Sequence, residues 1–155
     1  MSPKQLLIVA HAPSANTRRL VDAVLAGCAD AQAETMSYRW LAPLDAGPDD
    51  VLGADAMILG TTENLGYMSG ALKDFFDRSY YPVLDKKQGL PCAIYIRAGH
   101  DGTGTARALD SILTGLRWKQ VQDKRVLRGD WHEDFCTQCH ELGLYMATAL
   151  DNGII

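Results

Sequence analysis

Apolar positions along this chain follow two alternating rhythms. Residues 5 to 10, QLLIVA, form a short unbroken apolar run rich in branched side chains and stopped by HAP, the pattern of a strand buried on both faces. From Asn16 to Ala29 the rhythm changes. Leu20, Val21, Val24, Leu25 and Cys28 recur at the spacing of one helical face, and Ser14 or Asn16 is placed to cap the start. The change of period then repeats. A weaker strand is predicted around Glu34 to Tyr38, a short helical piece after Pro48, and a strand over Ala56 to Gly60. A helix is predicted from about Ser69 to Tyr80, with Leu72, Phe75, Phe76 and Tyr80 on one side and Pro82 ending it. A further strand covers Pro91 to Ile96 and a further helix Thr105 to Leu116. Residues 118 to 128 read as a fifth strand near an edge with a turn at Gln122-Asp123, and a last helix starts near Asp130.

Strands alternating with helices imply an α/β, three-layer fold: a five-stranded parallel sheet with helices on both faces. For five such units the economical strand order is 2-1-3-4-5, which puts a ligand site beyond the carboxyl ends of strands 1, 3 and 4. No repeat and no Pro- or Ser-rich linker interrupts the chain, so residues 1–155 are expected to form a single domain.

Composition narrows the partners. The net charge of -4, from 19 acids against 15 bases, argues against nucleic acid or an anionic membrane as the main partner. Lys4 precedes the apolar run Leu6 to Ala10, but that run is below the roughly 7 to 15 residues of a signal core, and no stretch approaches the roughly 20 needed to span a bilayer. A cytoplasmic protein is expected.

Candidate chemistry sits in three loops at the expected strand ends. After strand 1, HAPSANTRRL offers Ser14, Asn16 and Thr17 at a helix start, whose unpaired N–H groups and positive dipole end favour an anion such as phosphate. After strand 3 comes TTENLGYMSG, longer than an ordinary connection, in which the amides near Asn64 to Gly66 can face a planar ring and Tyr67 and Met68 can supply apolar contact. After strand 4, RAGHDGTG carries glycines that permit close backbone approach, with Asp101 and Thr103 placed to cap the next helix. It is not the dinucleotide fingerprint G-x-G-x-x-G. A phosphate cup on one side and a place for a flat ring between the other two loops describe FMN.

One motif points elsewhere. Cys136, Cys139 and His140 in FCTQCHELG spell C-x-x-C-H, the attachment signature of a c-type haem. On a helix of about 100° per residue, however, Phe135, Cys136, Cys139, Leu142, Gly143, Met146, Ala147 and Leu150 share one apolar arc, so both cysteines are expected on the face that packs against the sheet.

The stretch ADAMILGTTENLGYMSGALKDFFDR, Ala54 to Arg78, and the N-T-R-x-L segment from Asn16 to Leu20 resemble the flavodoxin-like superfamily, specifically its NAD(P)H-dependent FMN reductase and flavodoxin-family oxidoreductase group. The resemblance covers nearly the whole chain and implies a flavodoxin-like fold. It implies that Ser14, Asn16 and Thr17 hold the FMN phosphate. Thr62, Glu63, Asn64, Leu65, Gly66, Tyr67 and Met68 would border the ring, with Ala98, Gly99, His100, Asp101, Gly102 and Gly104 along its other edge. His11 and His100 are candidate donors to the flavin or to an acceptor. Glu63, beside the expected ring, would lower the flavin's potential through its charge. The implied activity is oxidation of NAD(P)H through FMN, with a quinone, flavin, nitro compound or metal ion as small-molecule electron acceptor. The alternative is a flavodoxin-type electron carrier without its own substrate. Neither needs a catalytic acid or base or a resident metal, and the resemblance further implies a homodimer or homotetramer.

Overall fold

The computed structural model describes residues 2–155. Its parallel sheet contains β1 (Lys4–Ala10), β2 (Met36–Leu41), β3 (Ala56–Asn64), β5 (Pro91–Ala98), β6 (Lys119–Gln120) and β7 (Arg125–Arg128), while the short β4 (Tyr67–Met68) folds back antiparallel on β3. The order is β2-β1-β3-β5-β6, with β7 also pairing to β5. This is the expected 2-1-3-4-5 arrangement with the fifth strand divided in two. The division falls at the predicted turn: Val121 N still donates to Cys92 O at 3.0 Å, and pairing resumes at Arg125 opposite Tyr95.

Helices α1 (Ala15–Asp30) and α5 (Asp134–Asp151) cover one face; α2 (Pro48–Leu52), α3 (Gly70–Val83) and α4 (Thr103–Leu116) cover the other. Alternation along β1 decides which face each side chain meets. Leu6 and Ile8 join Leu20, Val24, Cys139, Leu142 and Met146 in one core, and Leu7 and Val9 join Leu72, Phe75, Ile94, Leu109 and Leu113 in the other. The unbroken apolar runs of β1 and β3 reflect this burial on both sides.

Several boundaries differ from expectation. Strand β2 begins at Met36 because Glu34 and Thr35 turn their amides to the Asp151 carboxylate, at 3.1 and 2.7 Å, where they tie the strand's start to the end of α5. Pro82 does not stop α3 but lies in its last turn; its fixed φ is helical, and the lost amide bond and the crowding of the carbonyl four residues back fall where the helix is about to end. The last helix starts at Asp134, since His132 Nδ1 accepts the Asp134 amide at 3.0 Å and holds residues 130–133 as a lead-in. Helix α4 starts at Thr103 behind a left-handed Gly102 (φ 71°).

Helix α5 follows its predicted arc. Cys139 and Met146 are fully buried between α5 and the sheet, Cys136 is half-buried, and His140 Nε2 lies 2.6 Å from the Asp30 carboxylate at the rim. Burial pushes the Cys139 thiol up to about 12, far from a thiolate at neutral pH. No helix is long and apolar enough to cross a membrane among the described residues.

Candidate functional site

The sheet register brings the carboxyl ends of β1, β3 and β5 side by side, with Ala10 opposite Gly60 and Thr62 opposite Arg97. The His11 amide donates to Gly60 O at 3.0 Å and fixes where β1 leaves the sheet. Burial pushes the His11 imidazole below its ordinary value, which favours its neutral form.

Behind it, Ser14 and Thr17 form a reciprocal cap on α1. Ser14 Oγ accepts the Thr17 amide at 3.2 Å, Thr17 Oγ1 accepts the Ser14 amide at 2.9 Å, and the two hydroxyls are 2.8 Å apart. Thr17 is buried, whereas Ser14 and Asn16 are exposed. Among the described residues the amides of Ala15 and Asn16 find no acceptor in the chain, and the first turn holds no acid. Arg18 is paired with Asp22 and Arg19 with Glu133, so the positive character of this cup comes from the backbone and the helix end.

The segment after β3 is not the open loop that its length suggests. Strand β3 runs on to Asn64, turns at Leu65 and Gly66 with φ of 52° and 76°, and returns as β4, with Glu63 opposite Met68 and Asn64 opposite Tyr67. Positive φ at both central residues marks a type I′ hairpin. Thr61 and Ser69 close its base: the Ser69 amide donates to Thr61 Oγ1 at 3.0 Å, and Ser69 Oγ caps α3 through the Leu72 amide at 3.1 Å. Met68 is buried in the core, Tyr67 is partly exposed, and Leu65 is fully exposed at the tip. Thr62 Oγ1 donates to Asn64 Oδ1 at 2.8 Å.

A leucine in left-handed backbone, with no burial in return, costs about 1 kcal/mol. Leu65→Asn, which supplies the Asn-Gly pair preferred in such turns, is expected to raise the unfolding free energy by a similar amount. A urea titration of both proteins checks it.

The hairpin does not stand apart from the loop after β5. The Glu63 carboxylate accepts the His100 amide at 3.0 Å through Oε1 and the Gly102 amide at 2.8 Å through Oε2. At Gly104 an added Cβ would overlap the Gly66 carbonyl oxygen and sit 3.3 Å from its carbon, so the hairpin tip and the start of α4 are in direct backbone contact. Asp101 Oδ1 accepts the Thr103 amide at 3.0 Å, which holds its carboxyl below the usual range, and Arg128 Nε donates to Asp101 O at 2.7 Å. Glu63 therefore takes up the amides of His100 and Gly102 in the lead-in to α4, and Asp101 takes the first helical amide, that of Thr103.

Thr61, Ser69, Arg97 and Trp131 complete this region, and local pattern did not point to their roles. Arg97 donates to Ala98 O at 2.9 Å and Leu127 O at 3.1 Å, and its guanidinium lies 4.9 Å from the centroid of Phe135 and 5.9 Å from that of Trp131. No carboxylate pairs with it among the described residues. Trp131 also faces Arg19, at 5.3 Å.

Residues 43–133, which contain both the hairpin and the 99–104 loop, match the sequence model of the family described as NADPH-dependent FMN reductase. The chain belongs to this family. A flavodoxin of Aquifex aeolicus is 26% identical over 112 residues, which is 72% of this NADPH-dependent FMN reductase family member and 60% of the flavodoxin. The chain thus spans somewhat less than two thirds of that relative's length. In three dimensions it superposes on a flavodoxin from the domain Archaea with a TM-score of 0.77 at 17% identity, covering 94% of this chain and 98% of the other. A WrbA-like flavodoxin from Agrobacterium tumefaciens gives 0.74 at 18% identity, covering 96% and 98%. At such identities these likenesses establish the flavodoxin-like fold alone.

Proposed function

We propose that this chain binds FMN at the carboxyl ends of β1, β3 and β5 and uses it to pass reducing equivalents from NAD(P)H to a small acceptor such as a quinone, a nitro compound, a free flavin or a metal ion. FMN, when bound, supplies the hydride-accepting and electron-donating chemistry. The chain's own task is to hold and orient. The free amides of Ala15 and Asn16, with Ser14 and the Asn16 side chain, fit a phosphate: they lie at the positive end of a long helix whose first turn carries no acid. At α4 the first helical amide is taken by the Asp101 carboxylate, and Glu63 adds a second carboxylate just ahead of it, so that helix start already carries negative charge and α1 is the better place for a phosphate.

The observation that carries the reductase reading is the union of hairpin and loop. Two separate loops would form a slot enclosing a flat ring on both faces. Joined by Glu63 and by the Gly66–Gly104 contact, they form one continuous ledge instead, and a flavin resting on it would keep one face for a second ring, as hydride transfer from a nicotinamide requires. Family membership supports the same reading.

The match to a flavodoxin supports an electron carrier as the second reading. The FMN-loaded protein, mixed anaerobically with NADPH or NADH, is expected to lose its visible flavin absorbance within seconds. Loss only with dithionite would make the carrier the correct reading.

A further inference from the structure

We propose that Glu63 is a positioning residue: its carboxylate holds the 99–102 backbone in register with the β3–β4 hairpin, and this strap sets the shape of the ledge on which the flavin is bound. The proposal rests on the FMN reading for its functional half, while the strap itself is a property of the apoprotein. Its geometry is specific. One carboxylate spans two amides separated by a single residue, at 3.0 and 2.8 Å, and these belong to a segment 37 and 39 positions away in sequence. Hydrogen bonds to a charged acceptor are the strong ones, and two from one side chain fix orientation as well as distance.

Apart from Arg128 on the Asp101 carbonyl and the first turn of α4 on the Gly102 carbonyl, the 99–102 segment has little else to hold it. His100 and Asp101 are exposed, Gly102 stands in left-handed backbone, and the amides of Gly99 and Asp101 find no acceptor in the chain among the described residues. With His100 and Gly102 tied to Glu63, the intervening Asp101 amide and the preceding Gly99 amide are left for a ligand. Glu63 thus acts by occupying two donors and presenting two others. Its hydrogen-bonding capacity is directed at the loop, which differs from a bare charge beside the ring as its route of influence.

Two variants test this. Glu63→Ala removes both bonds, and Glu63→Gln keeps one acceptor oxygen while losing the other. Amide hydrogen exchange on the apoprotein is expected to be at least about tenfold faster at both His100 and Gly102 in Glu63→Ala, and faster chiefly at one of them in Glu63→Gln. FMN titration should give a Kd about tenfold weaker or more for the alanine variant and an intermediate one for glutamine, with changed fine structure in the visible flavin band. Unchanged exchange at both amides overturns the strap. Faster exchange with the wild-type Kd and spectrum overturns the positioning role and leaves Glu63 a purely structural tie. A wild-type protein that binds no FMN overturns the cofactor reading instead, and exchange at the two amides still decides whether the strap exists.

Discussion

Replacing Gly143 with alanine is expected to cost about 3 kcal/mol of unfolding free energy, despite the higher helix propensity of alanine. Gly143 on α5 faces α1 so closely that an added Cβ would lie 3.0 Å from Val24 C, 3.2 Å from Val24 Cα and inside contact distance of the Val24 oxygen. The approach is reciprocal: a Cβ at Gly27 on α1 would come within 2.8 Å of Leu144 N and overlap the His140 carbonyl. All these atoms are backbone, so no rotamer change relieves the overlap and the two helices must separate. Separation opens the core in which Leu20, Val24 and Cys28 meet Cys139, Leu142 and Met146. Urea denaturation measures the loss. Gly70→Ala, at the first position of α3, is the control, since nothing lies within 4 Å of a Cβ there and no loss of stability is expected. Equal midpoints for the two variants would show that α1 and α5 yield without penalty.

The second large effect is on binding. Gly104→Ala is expected to weaken FMN binding about tenfold to a hundredfold while leaving the fold intact, because misaligning one or two hydrogen-bonding groups costs about 1.5 to 3 kcal/mol. The new methyl would collide with the Gly66 carbonyl, which is main chain, and the hairpin tip is the part free to move, with Leu65 wholly exposed beside it. The hairpin therefore lifts away from the start of α4 and the ledge becomes two loops. Quenching of flavin fluorescence on titration with apoprotein gives Kd, and far-ultraviolet circular dichroism checks the fold. A wild-type Kd in a folded variant would remove the Gly66–Gly104 contact from the binding site.

These expectations differ in how far the sequence discloses them. The arc of α5 was readable because burial on one helical face imposes a period of 3.6, and the cysteines of FCTQCHELG fell on it; the double-sided burial of β1 and β3 was readable for the same kind of reason. That the three candidate loops adjoin was readable from topology, since strand order decides which ends lie side by side. The hairpin was hidden. T-T-E-N-L-G-Y lacks the apolar alternation of a strand, and its turn puts leucine where asparagine would have announced it. Glu63 could be located beside the site but not assigned its partners, because a carboxylate on two distant amides leaves no trace in local composition. The same holds for Arg97 over Phe135, a contact between residues far apart in the chain.

The divided fifth strand has a consequence for how copies of this protein meet. A sheet with an unpaired outer strand invites another chain to add to it, and short, interrupted, cationic edges discourage this. Here that margin offers only the two residues of β6 and the four of β7, and Lys119, Lys124, Arg125 and Arg128 lie along it. Lys124 and Arg125 are tied back to Asp110 and Glu141. Strand addition at this border is therefore disfavoured by both geometry and charge, which leaves β2, six residues long at the opposite border, as the longer exposed edge of the sheet.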